Sequence, residues 1–129
     1  MTPANTLESI ARELFEALDR LEFDRIVGLA TDDVQAVDEI TRGWLRGRPA
    51  MEAYFASMVG QVSDIHSTLS DLRAVDLGDT GIATMVLDQD YDLGGQRISI
   101  HAPTSIVTRR VDGEWRVALL HTVPLADEG

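Results

Sequence analysis

The sequence predicts an α+β domain in which helices pack on one face of a curved, mostly antiparallel sheet. Two observations carry this reading. Apolar residues recur at helical spacing through the first part of the chain, whereas the second part is a succession of β-branched segments cut by glycine turns. Helices first and an antiparallel meander afterwards is the order of an α+β domain.

The first helix rests on Leu7, Ile10, Ala11, Leu14, Phe15, Leu18 and Leu21, whose spacing puts them on one helical face. Asn5, with Glu8 three residues later, has the form of a capping box. A shorter second helix is predicted over 23–30, with Phe23, Ile26, Val27 and Leu29 inward, and Asp32 and Asp33 break it. A short strand over 34–37 then delivers a carboxylate, Asp38, before the chain turns through Gly43 and Gly47. An acid at the end of an apolar strand, beneath an amphipathic helix, serves as a general base, a helix cap or a solvated turn residue. Residues 43–47 read as a loop, and Pro49 suits the first turn of a third helix. That helix carries Met51, Tyr54, Phe55, Met58 and Val59 on one side and ends near Gly60.

Four strands follow, over 65–77, 82–93, 96–111 and 115–123, separated by Gly78-Asp79, Gly94-Gly95 and Asp112-Gly113. A two-residue turn at Gly94-Gly95 sets a register: Asp92 opposes Arg97, Asp90 opposes Ser99, and Asp88 opposes His101. These six share one face, while Tyr91 with Ile98 and Gln89 with Ile100 share the other. The polar face is either solvated or the lining of a cavity. The tip pair, Asp92 and Arg97, reads as a solvated salt bridge. Asp88 and His101 lie deeper along the strands, and a carboxylate that orients an imidazole is one way to build a proton-transfer group. His66, alone near a strand start, reads as a surface residue.

Composition narrows the function classes. A chain of 129 residues, 44% hydrophobic, buries one core and reads as a single domain over 1–129. The 22 acidic residues against 11 basic ones, all arginine, give a formal charge of −11, which repels phosphate backbones and anionic lipids. Neither nucleic acid nor membrane is expected as a partner. Residues 1–5 lack the basic start and apolar stretch of a signal peptide, and no apolar run approaches the roughly 18 residues of a membrane span, so a cytoplasmic location is expected. The absence of cysteine excludes disulfides, thiolate catalysis and cysteine-bound zinc, and the absence of lysine excludes Schiff-base chemistry through that side chain. No phosphate-binding glycine loop, Gly-x-Ser-x-Gly elbow or dinucleotide fingerprint occurs. Asp38, Asp88 and His101 lack the close spacing of a zinc motif, so neither metal nor cofactor is expected.

Several segments together resemble the nuclear transport factor 2-like, or cystatin-like cone, superfamily, in its SnoaL-like and ketosteroid isomerase-like branch. They are the helix over 11–21, Asp32-Asp33 before the first strand, Asp38, Gly47, Ala50-Met51-Glu52-Ala53-Tyr54-Phe55, and Asp112-Gly113-Glu114-Trp115-Arg116-Val117 leading to His121. The resemblance spans nearly the whole chain and implies a cone with an interior pocket. It implies that Asp38 is the carboxylate that moves a proton on a substrate's carbon skeleton. Where the isomerases have an oxyanion-hole tyrosine and a protonated aspartate, this chain has Leu14 and Ser105. Loss of both donors argues against a steroid isomerase in the strict sense. Tyr54 from the third helix, or His101 from the sheet, would replace them.

The expected function is that of a small-molecule pocket protein, with cofactor-free isomerisation, cyclisation or dehydration of a polycyclic or aromatic substrate as the chemistry. Asp38, Asp88 and His101 are its catalytic candidates. Tyr54, Trp44, Phe15, Leu14, Ser105 and His121 are its substrate-binding candidates. Trp44 would stack on a flat ligand at the mouth or act as a core lid; Trp115, alternating with Val117 and Leu119, is structural, and His121 continues that alternation. The alternative function is a non-catalytic binding or dimerisation module. A homodimer through the sheet is expected, using the hairpin face with Tyr91, Ile98 and Ile100.

Overall fold

A computed structural model describes residues 6–37 and 43–123. The elements run α1 (Leu7–Asp19), α2 (Phe23–Gly28), β1 (Ala30–Val37), β2 (Trp44–Arg46), α3 (Arg48–Met58), β3 (Val62–Asp76), β4 (Thr80–Leu93), β5 (Gln96–Val111) and β6 (Glu114–Thr122). The six strands form one sheet in the order β2-β1-β6-β5-β4-β3, antiparallel throughout except for the parallel pair β1 and β6. The helices cover one face of this sheet, as the element order predicts. No helix among the described residues is long and apolar enough to cross a membrane.

The start of α1 is capped one residue later than predicted. Asn5 lies outside the described residues; Thr6 is the N-cap, its hydroxyl accepting from the Ser9 amide at 3.1 Å while Ser9 Oγ accepts from the Thr6 amide at 2.8 Å. The helix closes after Asp19. The Glu22 amide donates to the Ala17 carbonyl at 2.9 Å and the Leu21 amide to the Leu18 carbonyl at 3.0 Å, the two bonds of a Schellman ending. This ending puts Leu21 at φ 58° and leaves it 41% exposed, so it is not part of the inward face predicted for it.

Leu7, Ile10, Ala11, Leu14, Phe15 and Ala17 are the buried face of α1. They meet Ala83, Met85 and Leu87 of β4, Ile106 of β5, and Trp115 and Val117 of β6 in one core. Close seating of α1 depends on Gly81, where a Cβ would collide with Leu7 and Thr108. Three other predicted bounds shift. The second helix stops at Gly28, and Asp32 and Asp33, expected to break that helix and precede the first strand, sit within β1 with their side chains in solvent. Asp33 takes both prongs of the Arg109 guanidinium at 2.6 and 3.2 Å, tying β1 to β5 across the outer face. Residues 44–46, expected as loop, form the edge strand β2, and Gly47 at φ 86° turns the chain into α3. Val59 follows the helix and is 68% exposed.

The sheet curls because its long strands carry bulges. The β3–β4 register slips between Ser63 and His66 and again between Ser70 and Arg73, and Asp64 and Asp71, with φ of 53° and 50°, sit in those slips. Aspartate tolerates this left-handed conformation better than most residues. The β4–β5 register agrees with the one set by the Gly94-Gly95 turn, residue for residue, from Asp92 opposite Arg97 to Asp88 opposite His101.

Candidate functional site

The curled inner face and the three helices enclose a cavity of about 140 Å³. Leu14, Phe15 and Leu18 project into it from α1, Phe23 and Ile26 from α2, and Met51, Tyr54, Phe55 and Met58 from α3. Helical spacing explains each group, since residues three or four apart share a face. The sheet supplies Ala36 and Val37 from β1, Leu45 from β2, Ile65 from β3, Gln89 and Tyr91 from β4, and Leu120 and Thr122 from β6. Phe23 and Phe55 stack in parallel at 4.7 Å, and Tyr54 tilts against Phe55 at 5.5 Å. The wall is therefore hydrocarbon and aromatic ring, broken by two phenols, one amide and one hydroxyl.

The amide is anchored. Gln89 is 6% exposed, and its Nε2 donates to Ser67 Oγ at 3.0 Å. Ser67 in turn donates its hydroxyl to Asp19 Oδ1 at 2.6 Å and its backbone N–H to Asp19 Oδ2 at 3.0 Å. A carboxylate in the last turn of a helix meets the negative end of the helix dipole, and these two donors from β3 offset that penalty. The register at Gly94-Gly95 already puts Gln89 on the face opposite Asp88; a glutamine inside an otherwise apolar alternation was the available signal for it. Asp19 and Ser67 left no such signal, because their meeting depends on where α1 crosses the sheet.

Of the candidates named from sequence, Leu14, Phe15 and Tyr54 line the cavity. Asp38 lies outside the described residues. The others lie elsewhere. Asp88 and His101 pair at 2.5 Å on the outer face, 51% and 60% exposed, because the helices cover the opposite side of the hairpin. Ser105 opposes Thr84 and His121 and shares their outer face, while its neighbours Thr104 and Ile106 point into the core. Trp44 is 48% exposed, with Arg46 over its ring at 5.3 Å and the His121 ring at 6.1 Å; Leu45 is the β2 residue that turns inward.

His121 is displaced by a bulge. Thr108 opposes Val117 but Val107 opposes Leu119, so Ala118 is an extra residue in β6. Trp115 and Val117 face inward before it; afterwards the parity reverses, Leu120 and Thr122 face the cavity, and Leu119 and His121 face out. The dimer surface expected from Tyr91, Ile98 and Ile100 is corrected for a different reason, because the helices cover that side of the hairpin. That is the inner face: Tyr91 is 6% exposed and lines the cavity, and Ile100 packs against the core. Among the described residues no three carboxylate or imidazole side chains gather as a metal site.

Solved structures share this architecture at low identity. A protein described as a candidate dehydratase of the NTF2-like family from Streptomyces avermitilis superposes with a TM-score of 0.82 at 18% identity, over 94% of this chain and 95% of that one. A ketosteroid isomerase-like protein from Erwinia carotovora atroseptica gives 0.79 at 16%, over 94% and 95%. The CaMKII hub of S. rosetta gives 0.78 at 17%, over 97% and 98%. At these identities the likeness establishes the fold. No match is found among curated protein sequences. The SnoaL-like domain model matches residues 7–125, and the chain belongs to that family.

Proposed function

We propose that this domain holds a small, flat, apolar molecule in the cavity and that Asp38 moves a proton on it without a cofactor, as in an isomerisation, cyclisation or dehydration. The cavity carries the reading: aromatic and aliphatic walls, with a few polar groups in fixed places, are the usual composition of a small-molecule site. Its volume of about 140 Å³ is close to that of the apolar cavity of about 150 Å³ that takes benzene, so one or two aromatic rings fit better than a steroid nucleus. Among the described residues the lining has neither carboxylate nor imidazole. Asp38, which follows the lining residue Val37 in the sequence, is the acid this proposal takes as the base. Tyr54 is the proposed hydrogen-bond donor to the oxygen that gains charge. Asp88 and His101 have no part in this reading, and a cytoplasmic location fits it. Mass spectrometry of small molecules that co-purify with the native chain tests it: an aromatic compound that is lost when Phe55→Arg fills the cavity is expected, and an empty native cavity that binds no aromatic probe overturns it.

A homodimer through the sheet is a second part of the proposal, now through the outer face. Ile82, Val107 and Leu119 stand in one cross-strand row there, and Trp44 lies at the edge of the same face. The likeness to a hub domain supports pairing of copies.

A further inference from the structure

We propose that Gln89, held by Asp19 through Ser67, is the acceptor that selects a hydroxyl-bearing aromatic ligand; this rests on the reading of the cavity as a ligand site. The argument is one of proton bookkeeping. Ser67 has one hydroxyl proton, and Asp19 takes it at 2.6 Å in a charge-assisted bond. Ser67 Oγ therefore faces Gln89 with lone pairs only, and the amide must present its NH₂ group to it, at 3.0 Å. The relay thus decides which way the amide points. Gln89 Oε1 is left without a partner among the described residues, on a side chain that is 6% exposed and lines the cavity.

The other polar groups on the wall do not select in this way. Tyr54, Tyr91 and Thr122 carry hydroxyls, and a hydroxyl both donates and accepts, so none of the three discriminates a ligand donor from a ligand acceptor by its chemistry. Gln89 Oε1 accepts only. A ligand that covers Gln89 Oε1 without donating to it shuts that oxygen off from solvent unpaired, at the full cost of its desolvation, whereas a phenolic O–H is matched. The selected class is an aromatic alcohol whose ring lies on the apolar wall and whose hydroxyl reaches β4.

Three probes of the same ring system test this: 2-naphthol, 2-methoxynaphthalene and naphthalene, titrated by fluorescence into the native chain and into Gln89→Leu. The native chain is expected to bind 2-naphthol about tenfold more tightly than either compound that lacks a donor. Gln89→Leu is expected to bind all three within about threefold of one another, since the cavity stays apolar and the acceptor is gone. Equal binding of the three by the native chain, or a naphthol preference that survives in Gln89→Leu, overturns the selection by Gln89 and leaves the cavity reading standing. Failure of all three to bind overturns both.

Discussion

Ser67 gives both of its donors to Asp19, the backbone N–H to one carboxylate oxygen and the hydroxyl to the other, across 48 residues of sequence. The pair fastens the C-terminal end of α1 to β3 at the side of the cavity. Ser67→Ala removes the hydroxyl bond and strips the buried Gln89 amide of its acceptor while the backbone bond remains. A loss of about 1–3 kcal/mol is expected, read as a lower urea midpoint with an unchanged slope. An unmoved midpoint would mean that the relay contributes nothing to the fold.

Leu21 shows where the chain departs from the local optimum. The Schellman ending of α1 needs a left-handed residue, and the chain puts a leucine there at φ 58°, 41% exposed, so little packing compensates for the strained backbone. Leu21→Gly removes the Cβ clash at this position. A gain of about 1 kcal/mol is expected, less the added entropy of a glycine in the unfolded chain. Thermal unfolding checks the sign.

His101→Ala is expected to leave stability within about 0.5 kcal/mol and probe binding unchanged, because the Asp88 and His101 pair stands in solvent on the far side of the sheet from the cavity. A loss of binding or turnover in this variant, measured on folded protein, would return the pair to the site. The pair also shows how far the sequence can be read. The Gly94-Gly95 turn determines which residues oppose each other, and alternation determines which share a face, but alternation is symmetric. Which face is inward depends on where the helices land, and on the sheet no local residue encodes that.

The same limit explains His121 and Trp44. Ala118 carries no glycine or proline mark of a bulge, yet one extra residue there reverses the parity of everything after it and sends His121 outward. The three residues of β2 are too few for a periodic signal, so Trp44 and Leu45 could not be sorted between the faces before their pairing with β1 was known. By contrast, Leu14, Phe15 and Tyr54 lie on helices long enough for period to decide their direction, and all three reach the cavity.

If two copies pair through the outer face, Val107→Arg in the centre of the row between Ile82 and Leu119 is expected to separate them. Burying an unpaired guanidinium between two sheets costs several kcal/mol, enough to weaken a dimer a hundredfold or more, by order of magnitude. Sedimentation at micromolar concentration should show the native chain at twice its 14.2 kDa mass and the variant at that mass, with the same far-ultraviolet circular dichroism. A native chain that sediments as a monomer removes the dimer.

Asp38→Asn separates binding from chemistry. The amide keeps the size of the carboxylate but cannot take a proton, so a general base is lost with little change in shape. With a compound that the native chain converts, turnover is expected to fall by about 10²–10⁴-fold while affinity changes by no more than about threefold. The distinction matters because, among the described residues, the cavity wall has hydrogen-bonding groups but neither carboxylate nor imidazole. A domain with Gln89 and Tyr54 alone would bind and orient; with Asp38 it would also enolise or eliminate. Unchanged turnover in Asp38→Asn would exclude Asp38 as the base, and binding without turnover in the native chain would leave the domain a binding module.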